Sequence, residues 1–153
     1  MTTPATIAAA LHATVDDALR MFATADHTRT ATRPAPGKWS PREVLGHLID
    51  SASTNHRRFV MGQSPDLQRF DGYDQNAWVE RQHYQEAPWR DLVALWSAYN
   101  RHLAHVIATT PAAALAHAAA APDGEGSLTL AFVMEDYVRH MRHHLDQLRS
   151  LLA

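Results

Sequence analysis

The strongest constraint on this chain is its stretch from Leu130 to Leu151, where apolar residues recur every three or four positions. At the helical step of about 100° per residue, Leu130, Val133, Tyr137, Met141, His144, Leu148 and Leu151 fall on one side. Asp136, Arg139, Arg142, Asp146 and Arg149 fall on the other. This pattern predicts a long helix with one face in a core. His140 and His144 stand one turn apart, His144 inside the apolar arc and His140 on its margin, whereas His143 falls with the charged residues. Two imidazoles at this spacing can close on one metal ion from one helix face. The competing reading is a buried helix whose histidines only hydrogen-bond within the core.

Earlier segments supply partners for this helix. Ile7, Leu11, Val15, Leu19 and Phe22 repeat at helical spacing and predict a first helix over residues 4–26, with His12 beside the stripe as surface or core filler. The threonines, prolines and glycine of residues 26–38 read as a loop. Ser40-Pro41-Arg42-Glu43 has the composition of a capping box with proline at the first helical position, so a second helix is expected over about 41–61. Val44, Leu48 and Phe59 share its inward stripe with polar Ser51 and Asn55, and His47 lies next to it, which suggests a helix lining a cavity as well as a core. The alternative for Ser51 is a hydroxyl bonded back to its own helix.

Residues 66–87 are long for a bundle connection. Asp74 can cap a short helix through Arg81, and Tyr73 and Trp78 either cover a site opening or pack against the side of a bundle. Pro88 opens a third helix with a broad apolar face; its His102 and His105 have no further ligand type converging on them. The alanine-rich run 112–121 has helix-forming composition with little periodicity, residues 122–127 read as a loop, and Ser127 or Thr129 caps the last helix. No alternating strand pattern is seen. The expectation is one all-α domain over residues 1–153, a four-helix bundle with a long crossover between its second and third helices.

Composition narrows the chemistry. No cysteine is present, so disulfides, cysteine nucleophiles and thiolate metal sites are excluded, and the eleven histidines must find nitrogen or oxygen co-ligands. The net charge of −2 lacks the basic footprint of a nucleic-acid binder. No apolar run approaches the roughly 20 residues of a membrane span, and the N-terminus does not read as a signal peptide, so a cytoplasmic protein is expected. No serine stands in a recognisable nucleophile context.

Four segments together, Gly37-Lys38-Trp39-Ser40, Val44-Leu45-Gly46-His47-Leu48-Ile49-Asp50, Tyr73 through Val79, and Tyr137 through Leu148, resemble the DinB-like superfamily, which includes the YfiT-like metal-dependent hydrolases. The resemblance runs from about residue 7 to the C-terminus. It implies a four-helix bundle holding one divalent metal ion, nickel, zinc or iron, on three histidines that match His47, His140 and His144. It also implies a homodimer acting on a small-molecule substrate. Some family members transfer a low-molecular-weight thiol, and others are described as hydrolases.

Three neutral nitrogen ligands leave coordination positions open, where a water or a thiol loses its proton more readily. A metal-bound water would serve a hydrolase and a metal-bound thiolate an S-transferase; family precedent favours the transferase. A non-enzymatic, stress-related metal-binding bundle is the remaining alternative. Asp50, three residues beyond His47, either accepts a histidine N–H or forms a surface cap or salt bridge, since on the helical wheel it points away from Val44. Asn55, Trp78 and His143 complete the pocket candidates.

Overall fold

The computed structural model describes residues 2–153. Helix α1 spans Pro4–Phe22 and starts from a capping box between Thr3 and Thr6. It stops four residues short of the expected end. Asp26 accepts the Arg29 backbone N–H and so starts a separate short helix, α2, over His27–Ala31. Helix α3 covers Pro41–Met61, with the capping box of Ser40 and Glu43 and the proline start predicted for it. The crossover contains α4, Gln75–Arg81, capped by Asp74, and a single 3-10 turn over Tyr84–Glu86. Helix α5 is Trp89–Ala108 and α6 is Leu130–Leu152.

The alanine-rich run is where the structure departs furthest from the sequence reading. After a 3-10 turn at Ala112–Ala116, strand β1 (Ala118–Ala120) pairs antiparallel with β2 (Ser127–Thr129) in the register Ala118↔Thr129. Gly124 and Gly126, at φ of +83° and +82°, supply the left-handed backbone that turns the chain. Ala120 also exchanges hydrogen bonds with the crossover, donating to the Gln68 carbonyl and accepting from the Phe70 N–H, both at 3.0 Å. These non-local bonds, rather than side-chain alternation, make the strand. Thr129 ends β2 and caps α6 by accepting the Phe132 N–H.

The four long helices α1, α3, α5 and α6 enclose a core that includes Leu11, Leu48, Trp96, Leu103, Met134, Met141 and Leu148, all essentially inaccessible to water. Each such side chain contributes on the order of 1.5–3 kcal/mol of burial free energy. Phe22 sets its ring edge-on against Trp96 at 5.6 Å, holding α1 to α5. On α6 the buried arc is wider than the predicted stripe, adding Met134, Val138 and Leu145.

Helix α3 carries a second layer on its other side. It packs against α5 and α6 inside the bundle and against α2, α4 and the Tyr84 turn outside it. Every residue from Pro41 to Asp50 is therefore buried. Arg42 and Glu43 are paired: Arg33 forks onto Glu43 at 2.6 and 3.0 Å, Arg42 donates to the Gln85 carbonyl at 3.1 Å, and Gln85 donates to the Ala31 carbonyl at 2.6 Å.

The crossover is fixed to α3 at one point. The Tyr84 ring lies directly over Gly46; a Cβ there would stand 2.1 Å from the ring. One turn further along, Tyr84 donates its hydroxyl proton to Asp50 Oδ1 at 2.6 Å, and Gln82 donates to the same oxygen at 2.8 Å. Asp50 is consequently 2% exposed. The surface cap or salt bridge read for it from the wheel is not what forms, because the face opposite Val44 is covered by the crossover rather than by water. Among the described residues, no helix is long and apolar enough to cross a membrane.

Gly46→Ala is expected to cost about 1–3 kcal/mol, the range for overfilling a packed contact. Urea denaturation checks this, and an unchanged midpoint would remove Tyr84 docking as the reason for glycine here.

Candidate metal centre

Helices α3 and α6 run side by side so that His47 faces His140 and His144. The His47 and His140 rings have centroids 5.3 Å apart, those of His47 and His144 4.7 Å, and those of His140 and His144 4.6 Å. Their Nε2 atoms converge: His47 to His140 is 3.4 Å and His140 to His144 is 3.1 Å. Among the described residues this is the one group of three histidine, cysteine or carboxylate side chains whose ligand atoms all lie within 4.8 Å of one another.

The donor set fits a divalent cation. Metal–nitrogen bonds of 2.0–2.1 Å at a tetrahedral ion put neighbouring nitrogens about 3.4 Å apart, close to the spacings here. Hydrogen bonding alone accounts for the cluster less well. Two imidazole nitrogens face His140 Nε2, and one N–H shared between two nitrogens satisfies only one of them. A shell of imidazoles without thiolate or carboxylate suits zinc, nickel or iron.

The imidazoles are also held in the protonation state that ligation requires. Burial, and then the charges His144 and His140 would carry, push His47 down to about 3. Burial and then His144 push His140 down to about 4, with Asp136 opposing and His143 and Arg58 adding smaller effects. Burial lowers His144 too, against the opposing hydrogen bond to Gln147.

Two neighbours orient the rings. His144 Nδ1 lies 3.0 Å from Gln147 Oε1, one turn on. An amide oxygen accepts only, so this contact assigns the proton to Nδ1 and leaves Nε2 bare. The Tyr73 hydroxyl stands 3.5 Å from His47 Nδ1. Burial, then the nearby Asp50 charge, push Tyr73 up to about 12, so it keeps its proton. Trp39 leans on the outer face of the His47 ring at 5.2 Å.

A cavity of about 240 Å³ opens beside the histidines, with His47 and His140 in its wall. His47, Ser51, Asn55 and Arg58 of α3 form a polar stripe along it, Tyr73 of the crossover faces them, and Phe70, Phe132 and Val133 supply apolar wall. The polar stripe noted in the sequence thus lines a cavity. Asn55 is buried there, donating from Nδ2 to the Ser51 carbonyl at 2.9 Å.

Other candidates lie elsewhere. Asp50 bonds to Tyr84 and Gln82 and lies outside both the cavity wall and the histidine cluster. Trp78 is 41% exposed and touches the site only through Tyr73, against which it sets its ring at 5.6 Å. His143 is exposed, its ring 5.1 Å from that of His144. His102 and His105 are exposed on α5 with rings 6.4 Å apart, and His12 is exposed on α1. Sequence reasoning missed Arg58 and Gln147. The step from His144 to Gln147 is an ordinary helical neighbour spacing and was available as a signal; the placement of Arg58 depended on α3 and the crossover meeting.

The family model of the DinB superfamily matches residues 10–148. The chain belongs to the DinB superfamily. Over 115 residues it is 25% identical to YfiT of Bacillus subtilis (strain 168), a protein provisionally named as a metal-dependent hydrolase. That match covers 75% of this chain, and the chain spans 65% of the relative's length. A solved structure of Bacillus subtilis YfiT, described as a "probable metal-dependent hydrolase with an unusual four-helix bundle topology", superposes with a TM-score of 0.79 at 22% identity. The superposition covers 97% of this chain and 83% of that one, and it establishes the four-helix bundle fold.

Two outcomes follow for this DinB-superfamily site. Gln147→Ala, which removes the acceptor for His144, is expected to weaken zinc affinity about 10–100-fold, read by competition with a chelating dye; unchanged affinity would show that Gln147 does not orient the ligand. The metal-free protein is expected to lose stability in acid. Its unfolded chain takes up protons near the ordinary histidine value of 6.5, whereas the folded chain resists until about 3 for His47 and about 4 for His140. Between those values protons bind the unfolded chain preferentially, so this contribution is intact above 6.5 and drains away as pH falls. Melting temperatures measured from pH 7 to 4 should fall, and fall less steeply in His47→Gln.

Proposed function

We propose that this chain is a metal-dependent enzyme that hydrolyses a small-molecule substrate, with His47, His140 and His144 as the ligands of one divalent cation. The observation that carries this reading is the convergence of three neutral imidazole Nε2 atoms, with His47 and His140 in the wall of a partly closed cavity. A cation held there supplies Lewis acidity, polarising a substrate oxygen and lowering the pKa of a water toward neutrality.

The protein's own groups do the positioning. His47 and His144 are steered by Tyr73 and Gln147, Ser51 and Asn55 offer hydrogen bonds along the substrate, and Phe70, Phe132 and Val133 restrict water. The cavity, at about 240 Å³, suits a compact substrate. The naming of YfiT as a metal-dependent hydrolase supports this reaction class.

S-transfer from a small thiol is the second reading. It is favoured by a separate, more open groove of about 670 Å³ along Pro34, Lys38 and Trp39, which shares Gln75 with the cavity and reaches Gln147. A cosubstrate there would approach the histidines from another side, and without cysteine in the chain the sulfur would be the cosubstrate's. The homodimer implied by the family resemblance and the cytoplasmic location expected from the sequence belong to the same proposal.

Elemental analysis of protein purified without a nickel column tests the site. About one metal per chain is expected from this three-ligand set, lost in His140→Ala and in His144→Ala. No metal, and no uptake from added zinc, nickel or iron, overturns the proposal. With metal present, turnover of ester and amide panels without thiol supports hydrolysis, and turnover only with an added thiol supports transfer.

A further inference from the structure

We infer that Arg58 is an anion anchor, and that the substrate carries a small oxyanion, a carboxylate or phosphate, at the end remote from the histidines. This deepens the proposed function and rests on its placing the reaction in the cavity.

Arg58 lies eleven residues beyond His47 on α3, three helical turns along the same face, and it lines the same cavity. Neutral acceptors hold its guanidinium. Nε donates to the Asp71 carbonyl at 2.8 Å, Nη2 to the same oxygen at 2.5 Å, and Nη1 to Asn55 Oδ1 at 3.4 Å. The neighbouring carboxylates are engaged elsewhere: Asp71 pairs with Arg57 and Asp136 with Arg139. Among the described residues, no carboxylate forms a salt bridge with Arg58.

A partly buried guanidinium without a counter-ion is an incomplete arrangement, since a desolvated cation is stable only when an anion or several acceptors replace its water. Three of its five N–H groups are used, and the rigid fork leaves the others to meet an oxyanion. Burial pushes the Arg58 guanidinium below its ordinary value, and Asp71 and Asp136 only partly oppose this. Arg58 and His140 line the same cavity, so an anion on Arg58 shares that cavity with the histidines. Asp136, also in the cavity wall, limits the anion to the side nearest Arg58.

The test is titration of the EDTA-treated protein with acetate, succinate and inorganic phosphate, with acetamide as the neutral control, followed by the ¹⁵N–¹H signal of the Arg58 side chain. The Arg58 signal should shift saturably with the carboxylates or with phosphate, whichever class the site takes, and stay fixed with acetamide. Arg58→Gln should weaken binding about tenfold or more, as for loss of a charged hydrogen-bonding partner, and Arg58→Lys by less. No shift with any anion at tens of millimolar, or equal binding by Arg58→Gln, overturns the inference. The wild-type signal needs no variant to fold. Anion binding without metal uptake would sink the metalloenzyme reading alone, and metal uptake without anion binding would sink this one alone.

Discussion

The seat of Tyr84 on Gly46 is the contact on which the site depends. It closes the crossover against α3 one residue before His47, and the Asp50 carboxylate fastens the ring from below. From there the chain runs back through α4 to Tyr73, whose hydroxyl stands beside His47. A larger residue at 46 would displace the tyrosine and with it the wall that shields the imidazole. Glycine, histidine and aspartate within five residues of one helix thus serve two partners: Tyr84, through its ring and its hydroxyl, and the candidate metal.

The placement of Asp50 also marks where helical periodicity stops being informative. A wheel sorts residues into two faces and assigns water to one. That holds for most of α6, whose Arg139, Arg142, Asp146 and Arg149 are exposed, and it was enough to single out His140 and His144. It fails for the first half of α3, which is covered on both sides. What covers it is a crossover with little periodicity of its own, so its docking could not be read from α3. Capping signals were more legible because they are local: Ser40 with Glu43, Asp74 and Thr129 all do what their sequence neighbours require. The β-hairpin was invisible for the opposite reason. Its alanines carry no strand pattern, and its pairing is held by glycine turns and by the distant backbone at Gln68 and Phe70.

The site divides along the same line. The pair on α6 follows from spacing within one helix. The partnership with His47 required the family resemblance, because nothing in a lone histidine beside an apolar stripe says which helix it will face. Arg58 lay beyond both, since an arginine near a helix end is ordinarily solvated, and its place in the cavity emerges only when the Asp71 carbonyl and Asn55 restrain it.

His47 and His140 are 93 residues apart in sequence. Before folding, an ion finds only the adjacent pair on the last segment; the third nitrogen arrives when α3 and α6 meet. Any cation bound by all three therefore acts as a clasp across most of the polypeptide. Its binding free energy adds to the free energy of folding by mass action, and the entropy of closing so long a loop is met by folding rather than by the ion. Metal supply in the surroundings would then set how long the folded chain survives.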